Sequence, residues 1–463
     1  MNFIKLGFLL VLSILIFGCV SALPLNSTTN TSTSPSIQSP STPTIEPPTS
    51  PPNRPPNPSE PGIYYVSSQG SHSNSGTQVN PWKTLEFAFS QLKPGDTLYL
   101  LGEFNEQAIL SNSGQINKPL RIIGIGNSNA LGKAIIDGRN LNDNGFIIRP
   151  NVNYVELSNI RITNFQLGWA FSLYGNNSNL NLTNIETDGS DTGIHLTTGI
   201  SGQLSDTGPV SNVFLDRVYS HNNAVGGFDC TPGPCTNITV TNSTFANNGI
   251  ESNFGADGFA IEVGDDISLS NVRSVNNGGD GIDIGSRSPL FSQKSANVKV
   301  TNSNISGNKM NGLKLWNGGT VINDLIYSNG YAGLIFIYNG RYELVNSLVA
   351  NNDSPAEPTG ISLGKGVTLY SNYNSWFSRA DEEIFTEIDQ KSYANGERLG
   401  NNDKNSIYTE PLLDSRNGYR PLSGSSLINA GTSSFNGIGA PNFDFNGNPR
   451  TNNPRDIGPY ETN

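Results

Sequence analysis

Three short pieces between Asp257 and Trp316 carry the residues best suited to chemistry: A-D-G-F-A, G-D-G-I-D and N-G-L-K-L-W. They share an x-Gly-apolar-x core: Asp257-Gly258-Phe259-Ala260, Asp280-Gly281-Ile282-Asp283 and Asn311-Gly312-Leu313-Lys314. If each piece is the same strand of successive coils, equivalent positions lie about 4.8 Å apart. Asp257 then stacks on Asp280, and Asp283 on Lys314, so three carboxylates and an amine meet on one face. Hard carboxylate oxygens grouped in this way suit Ca2+, which accepts many oxygen ligands in loose geometry, better than Mg2+ with its strict octahedron. Lys314, when neutral, is a proton acceptor beside such a metal. Its ordinary pKa of about 10.4 must fall for that; neighbouring cations push it down, whereas Asp283 alone pushes it up.

Asp-Gly pairs are also ordinary turn residues, so it is the joint set of four side chains that carries the functional reading. Glu262 lies on the same face, as a further ligand or simply a solvated carboxylate. Trp316 is a stacking platform for a sugar ring or an outer packing residue. Arg287, and less so Arg273, are candidate partners for an acidic sugar. His195 and His221 are too scattered to form a nucleophilic or metal set and read as loop or stack residues.

Positioning such columns requires a solenoid. The segments beginning at Tyr154, Asn212, Asn237, Asp266 and Asn297 repeat an alternating apolar strand, with the spacing of solenoid coils. Asn223, Asn248, Asn277, Asn308, Asn329 and Asn352 fall at the same turn of successive coils and form an expected internal amide ladder. Ahead of them, a strand near Tyr64 and a short helix with Leu85, Phe89 and Leu92 on one face read as a cap over the open end, which would otherwise expose a pairing edge. After Leu369 the repeat fades, and Trp376, Phe377, Phe385 and Tyr408 are expected to cover the far end. The fold expected is all-β: a right-handed parallel β-helix over 63–463, with a cap at 63–110 that includes the capping helix, coils over about 120–370 and a C-terminal covering segment at 371–463.

Composition bounds the rest. The chain has 463 residues, 50 of them Gly, and a net charge of −11, which argues against nucleic acid and means an acidic polymer would need a local cation. Residues 1–22 read as a secretory signal. Ile16-Phe17-Gly18-Cys19 resembles a lipoprotein box, which would make a lipidated Cys19 the membrane anchor, while Val20-Ser21-Ala22 suits an ordinary signal peptidase. Residues 23–62, rich in Ser, Thr and Pro, are expected to form a disordered tether. Cys230 and Cys235, separated by T-P-G-P, read as a small disulfide loop in an oxidising compartment. The expectation is a secreted or surface-held monomer.

The pieces A-D-G-F-A, G-D-G-I-D and N-G-L-K-L resemble the core of pectate lyases of polysaccharide lyase family nine, which are parallel β-helix enzymes. The resemblance implies Asp257, Asp280 and Asp283 as calcium ligands, Lys314 as the Brønsted base, and β-elimination on a pectate-like, uronate-containing polysaccharide. The sequence departs from the family's D-D-G-W-D motif at Gly279, where the family has Asp, and at Ile282, where it has Trp. Two other classes stay open: a non-catalytic carbohydrate-binding or adhesive β-helix, and a glycoside hydrolase on the same scaffold, which would need a suitably spaced carboxylate pair.

Overall fold

The computed structural model describes residues 60–126, 132–197, 208–251, 256–285, 296–338, 340–352, 360–378, 385–387, 392–393, 403–451 and 454–462. All belong to one compact unit, Glu46–Asn463. The expected leader with Cys19, nearly all of the tether, and Arg287 lie outside the described residues. No helix among the described residues is long and apolar enough to cross a membrane.

Alternation of apolar and polar residues produces short strands that pair in parallel with the next coil rather than with their chain neighbour. One stack runs from Ala108–Leu110 through Phe146–Ile148, Phe171–Tyr174, Thr192–Thr197, Gly226–Cys230, Phe259–Ile261, Ile282–Ile284, Leu313–Leu315 and Leu334–Phe336 to Ile361–Leu363. The remaining coil strands form the other faces; Asn237–Val240, for example, lies between Asn212–Leu215 and Asp266–Leu269. Inward residues make a continuous apolar core, with like stacked on like: Phe228 lies on Phe259 with ring centroids 4.3 Å apart. Coil pairing starts earlier than the sequence repeat shows, since Ile63–Ser67 already pairs with Thr97–Leu101.

The asparagine ladder is continuous. Each amide from Asn223 through Asn248, Asn277, Asn308 and Asn329 donates to the Oδ1 of the next, ending on Asn352, at 2.8–3.1 Å. The residue before each rung turns the corner: Asn222, Asn247, Asn276, Gly307, Ser328 and Asn351 all have positive φ, a conformation that Gly and Asn tolerate best. The N-N and G-N pairs therefore divide two tasks between them. The same ladder explains the glycine of each x-Gly-apolar motif. A Cβ on Gly258, Gly281 or Gly312 would stand 2.5–2.7 Å from the amide nitrogen of Asn277, Asn308 or Asn329.

At the N-terminal end the helix Leu85–Gln91 is capped by Thr84, whose side chain accepts from the Phe87 N–H, and it buries Leu85, Ala88 and Phe89. Phe89 meets Phe146 of the first coils, ring centroids 5.7 Å apart, closing the core. The C-terminal segment behaves differently from expectation. Trp376 is buried at the far end, its indole donating to Asp403, but residues beyond about 410 fold back along the flank. Leu427 and Ile457 pack on Leu325 and Leu348, and corner residues Asn302, Asn323 and Asn346 donate to backbone carbonyls of Phe443, Asp456 and Thr432. Sequence cues locate such a segment but not the surface it covers. Arg273, on this flank, lies 4.6 Å over the Phe445 ring, away from the acidic face, so it does not serve a sugar there.

Candidate active site

The strands Phe259–Ile261, Ile282–Ile284 and Leu313–Leu315 are adjacent and in the register the motifs imply: Ala260 pairs with Asp283, and Asp283 with Lys314. Inward Phe259, Ile282 and Leu313 anchor each strand in the core, which leaves the alternate positions facing out. The residue before each glycine forms a second ladder. Asp257 Oδ1 accepts from the Asp280 N–H at 2.7 Å. Asp280 Oδ1 accepts from the Asn311 N–H and side-chain amide at 2.8 and 2.7 Å. Each side chain thus ties down the backbone of the next coil.

The remaining oxygens hold Lys314. Its Nζ donates to Asp280 Oδ2 and lies equally close to Asp283 Oδ2, 2.5 Å from each. Trp316 donates its indole N–H to Asp283 Oδ1 at 2.7 Å and lies against Tyr338. Its ring therefore positions a carboxylate. One carboxylate oxygen from each of Asp257, Asp280 and Asp283 falls within 4.8 Å of the others.

Burial and mutual charge set the state of this cluster. Burial, reinforced by the charges of Asp280 and Asp283, pushes the Asp257 carboxyl up to about 8. Burial also raises Asp283, against the opposing pull of Lys314. Burial alone would lower Lys314, but Asp283 and Asp280 more than offset it and hold the ammonium well above the ordinary lysine range. Three carboxylates share one cation, and their hard oxygen donors converge closely enough that they could hold a metal ion.

The two departures from the family motif have different meanings. Ile282 points into the core and is fully buried, so it concerns packing. Gly279 sits where a Cβ would approach Asp257 Oδ1 to 2.4 Å and the Ala256 backbone nitrogen to 2.5 Å. Backbone atoms and a carboxylate oxygen thus stand where an Asp side chain would begin. Gly279→Asp is expected to lower the thermal midpoint and leave calcium affinity no better than wild type, measured by calorimetry. A tighter, equally stable variant would contradict this.

Glu262 follows Ile261, two positions beyond the column of Ala260 and Asp283, and is influenced by the charges of Asp229 and Asp283. Burial, then those two charges, raise its carboxyl to about 7. It is not among the three carboxylates whose oxygens converge. Cys230 and Cys235 form a disulfide between the end of Gly226–Cys230 and the start of Cys235–Thr241.

His195 and His221, two of the three histidines, each belong to a cluster. His195 stacks on Trp169 with centroids 3.8 Å apart, and its Nδ1 is 3.1 Å from Asp229 Oδ2. His221 lies on another face with Glu186 and Asp188, a trio that could also hold a metal. There Lys133 donates to Glu186 at 2.9 Å, and Arg161 to Asp188 at 2.8 and 2.7 Å, so two resident cations already serve these carboxylates. Burial works against the Glu186 charge, but His221, Lys133 and Arg161 bring its pKa down to about 2 from 4.5. A depressed carboxyl contributes stability that is present above its unfolded value and lost as pH falls through its folded one. Glu186→Gln is thus expected to cost about 3 kcal/mol at neutral pH, and the gap to wild type should close as pH falls from 4.5 towards 2, as read in urea titrations. A gap that does not change with pH would refute the assignment. No one-dimensional motif marks this cluster, because its members come from four separate coil segments.

Residues 64–319, more than half of the chain, match the family model described as Pel9A-like, right handed beta helix region. The chain belongs to this Pel9A-like right-handed β-helix family. The crystal structure of pectate lyase Pel9A is similar in fold, with a TM-score of 0.53 and 17% identity over 87% of this chain and 96% of that one. A rhamnogalacturonan lyase structure aligns more loosely, with a TM-score of 0.41 and 15% identity over 87% of this chain and 96% of its own. An uncharacterized protein of Bacillus subtilis (strain 168), YwoF, is 23% identical, the alignment covering 77% of this chain and 89% of YwoF.

Proposed function

We propose that this Pel9A-like protein is a calcium-dependent lyase that cleaves a uronate-containing, pectate-like polysaccharide by β-elimination. The observation that carries the reading is Lys314 held between Asp280 and Asp283, with Asp257 adjacent, on the outward side of the stack. Asp257, Asp280 and Asp283 would hold the Ca2+. When bound, the ion neutralises the uronate carboxylate and stabilises the enolate-like charge that builds on it.

The protein's own side chains do the rest. Asp280 and Asp283 place Nζ, and Trp316 fixes Asp283. Lys314 acts as a base only once those carboxylates are engaged elsewhere, since as ion-pair partners they keep it protonated. Neutral Nζ then takes the proton from C5. The C5–H electrons form the C4–C5 double bond, the C4–O bond breaks, and the leaving oxygen takes a proton from water. Trp316 and Arg287 are assigned to the substrate. Under this reading the protein works outside the cell as a monomer, free or held by a lipid on Cys19.

The test is the ultraviolet absorbance of the unsaturated product, followed on polygalacturonate and other polyuronates with and without chelator. Activity that disappears with chelator and returns with calcium supports the reading. Failure to cleave any polyuronate would leave a non-catalytic carbohydrate-binding β-helix.

A further inference from the structure

A second concave site lies on the other sheet, apart from the stack that carries the acidic cluster. Arg121, Glu156, Asn181, Phe214 and Thr239 follow one another in the outward column of five successive coils. Four strand spacings separate the first from the last, about 19 Å. Beside them run the left-handed corners Tyr154, Asn179, Asn212 and Asn237. Both columns line one cavity of about 530 Å³, within the range of about 300–1,000 Å³ usual for small-ligand sites.

One wall of the cavity is a tight turn. Gln115 and Lys118 exchange backbone hydrogen bonds at 3.0 and 2.9 Å, and the two residues between them form the tip, with Asn117 in the left-handed region. The Gly114 N–H donates to the Asn153 carbonyl at 2.9 Å, which ties this turn to the next coil. The turn carries Ile116, largely exposed, to the cavity. Phe214 is likewise exposed on the floor, although its column neighbours Asn181 and Thr239 are polar. Two apolar side chains thus line the same open space from wall and floor, with carboxamides around them. The Asn237 amide donates to Asn212 Oδ1 at 2.7 Å, whereas the Asn181 side chain makes no hydrogen bond among the described residues.

We infer that this groove binds a segment of an uncharged polysaccharide, one sugar ring lying on Phe214, separately from the acidic site. Charge sets the class of ligand. Arg121 and Glu156 are the only charged residues of the lining among the described residues, and Arg121 Nε donates to Glu156 Oε2 at 2.9 Å. An anionic or cationic ligand therefore finds no free counter-charge and meets one like charge. The aromatic ring offers a flat apolar surface to the C–H face of a sugar, and carboxamides, which both donate and accept, suit its hydroxyls. A peptide strand has no edge to extend, because all five floor strands are already paired on both sides. The groove would hold the protein on a neutral polymer whatever chemistry the acidic site performs.

The test is affinity electrophoresis of the full chain in native gels containing neutral galactan, xylan or glucomannan, with polygalacturonate as the charged comparison. Wild type should be retarded by at least one neutral polymer, equally with and without chelator and at low and high salt. Phe214→Ala should weaken that binding about tenfold, and Asn181→Ala about threefold. Phe214→Tyr should keep most of it. Both side chains face outward, so each variant should melt near wild type by circular dichroism and bind calcium as wild type does. Neutral-polymer binding lost in Phe214→Ala, in a protein that cleaves no polyuronate, would uphold the groove while the lyase reading fails. Binding that survives Phe214→Ala, or a wild type retarded by none of the three neutral polymers, would overturn the groove and leave the lyase reading standing. Self-association of wild type that disappears in Phe214→Ala would make the groove a contact between copies and overturn it as well.

Discussion

Lys314→Ala is expected to lower elimination by about 10²–10⁴-fold, the usual cost of losing a general base, while binding calcium more tightly than wild type. The ammonium sits 2.5 Å from both Asp280 and Asp283 and competes with a metal for their oxygens. Removing it leaves charge that only a metal or protons can neutralise. The metal-free variant should therefore be less stable than wild type and gain more stability from added calcium. Single-turnover rates and calcium titrations by calorimetry give the two readouts. If Lys314 were merely a counter-ion, calcium would tighten but elimination would survive; that outcome would exclude it as the base.

Asp280→Ala is expected to weaken calcium binding by more than the roughly 10–100-fold typical of losing an outer partner of a metal site. Excess calcium should restore part of the activity. This variant should also be destabilised, because Asp280 Oδ1 accepts from both the backbone and the side chain of Asn311, and a buried N–H left without its partner costs about 1–3 kcal/mol. Asp283→Ala separates the two effects. Among the described residues Asp283 accepts from Lys314 and Trp316 but from no backbone group of the next coil, so it should lose metal affinity with a smaller loss of stability. Equal calcium affinity in Asp280→Ala and wild type would remove Asp280 from the ligand set.

Much of the fold was legible because a parallel coil repeats one physical problem. Every turn needs a left-handed corner and a way to satisfy its buried amides, and N-N or G-N pairs answer both at once. Every x-Gly-apolar motif needs a glycine because the ladder amide passes over that position. These local constraints leave marks at regular intervals, and such marks suffice to align Asp257 with Asp280 and Asp283 with Lys314. Three things depended on tertiary structure. The state of Lys314 is set by distances of a few ångströms between carboxylates on different coils, which spacing along a chain does not contain. The meaning of Gly279 depends on how closely the Ala256 backbone passes beneath it. The clusters of Glu186 with Lys133 and His221, and of Trp169 with His195, join residues from separate coils with no shared motif. Only side-chain reach across the stacked strands brings them together. Periodicity marks which residues share a column; charge balance and free space in that column are properties of the folded surface.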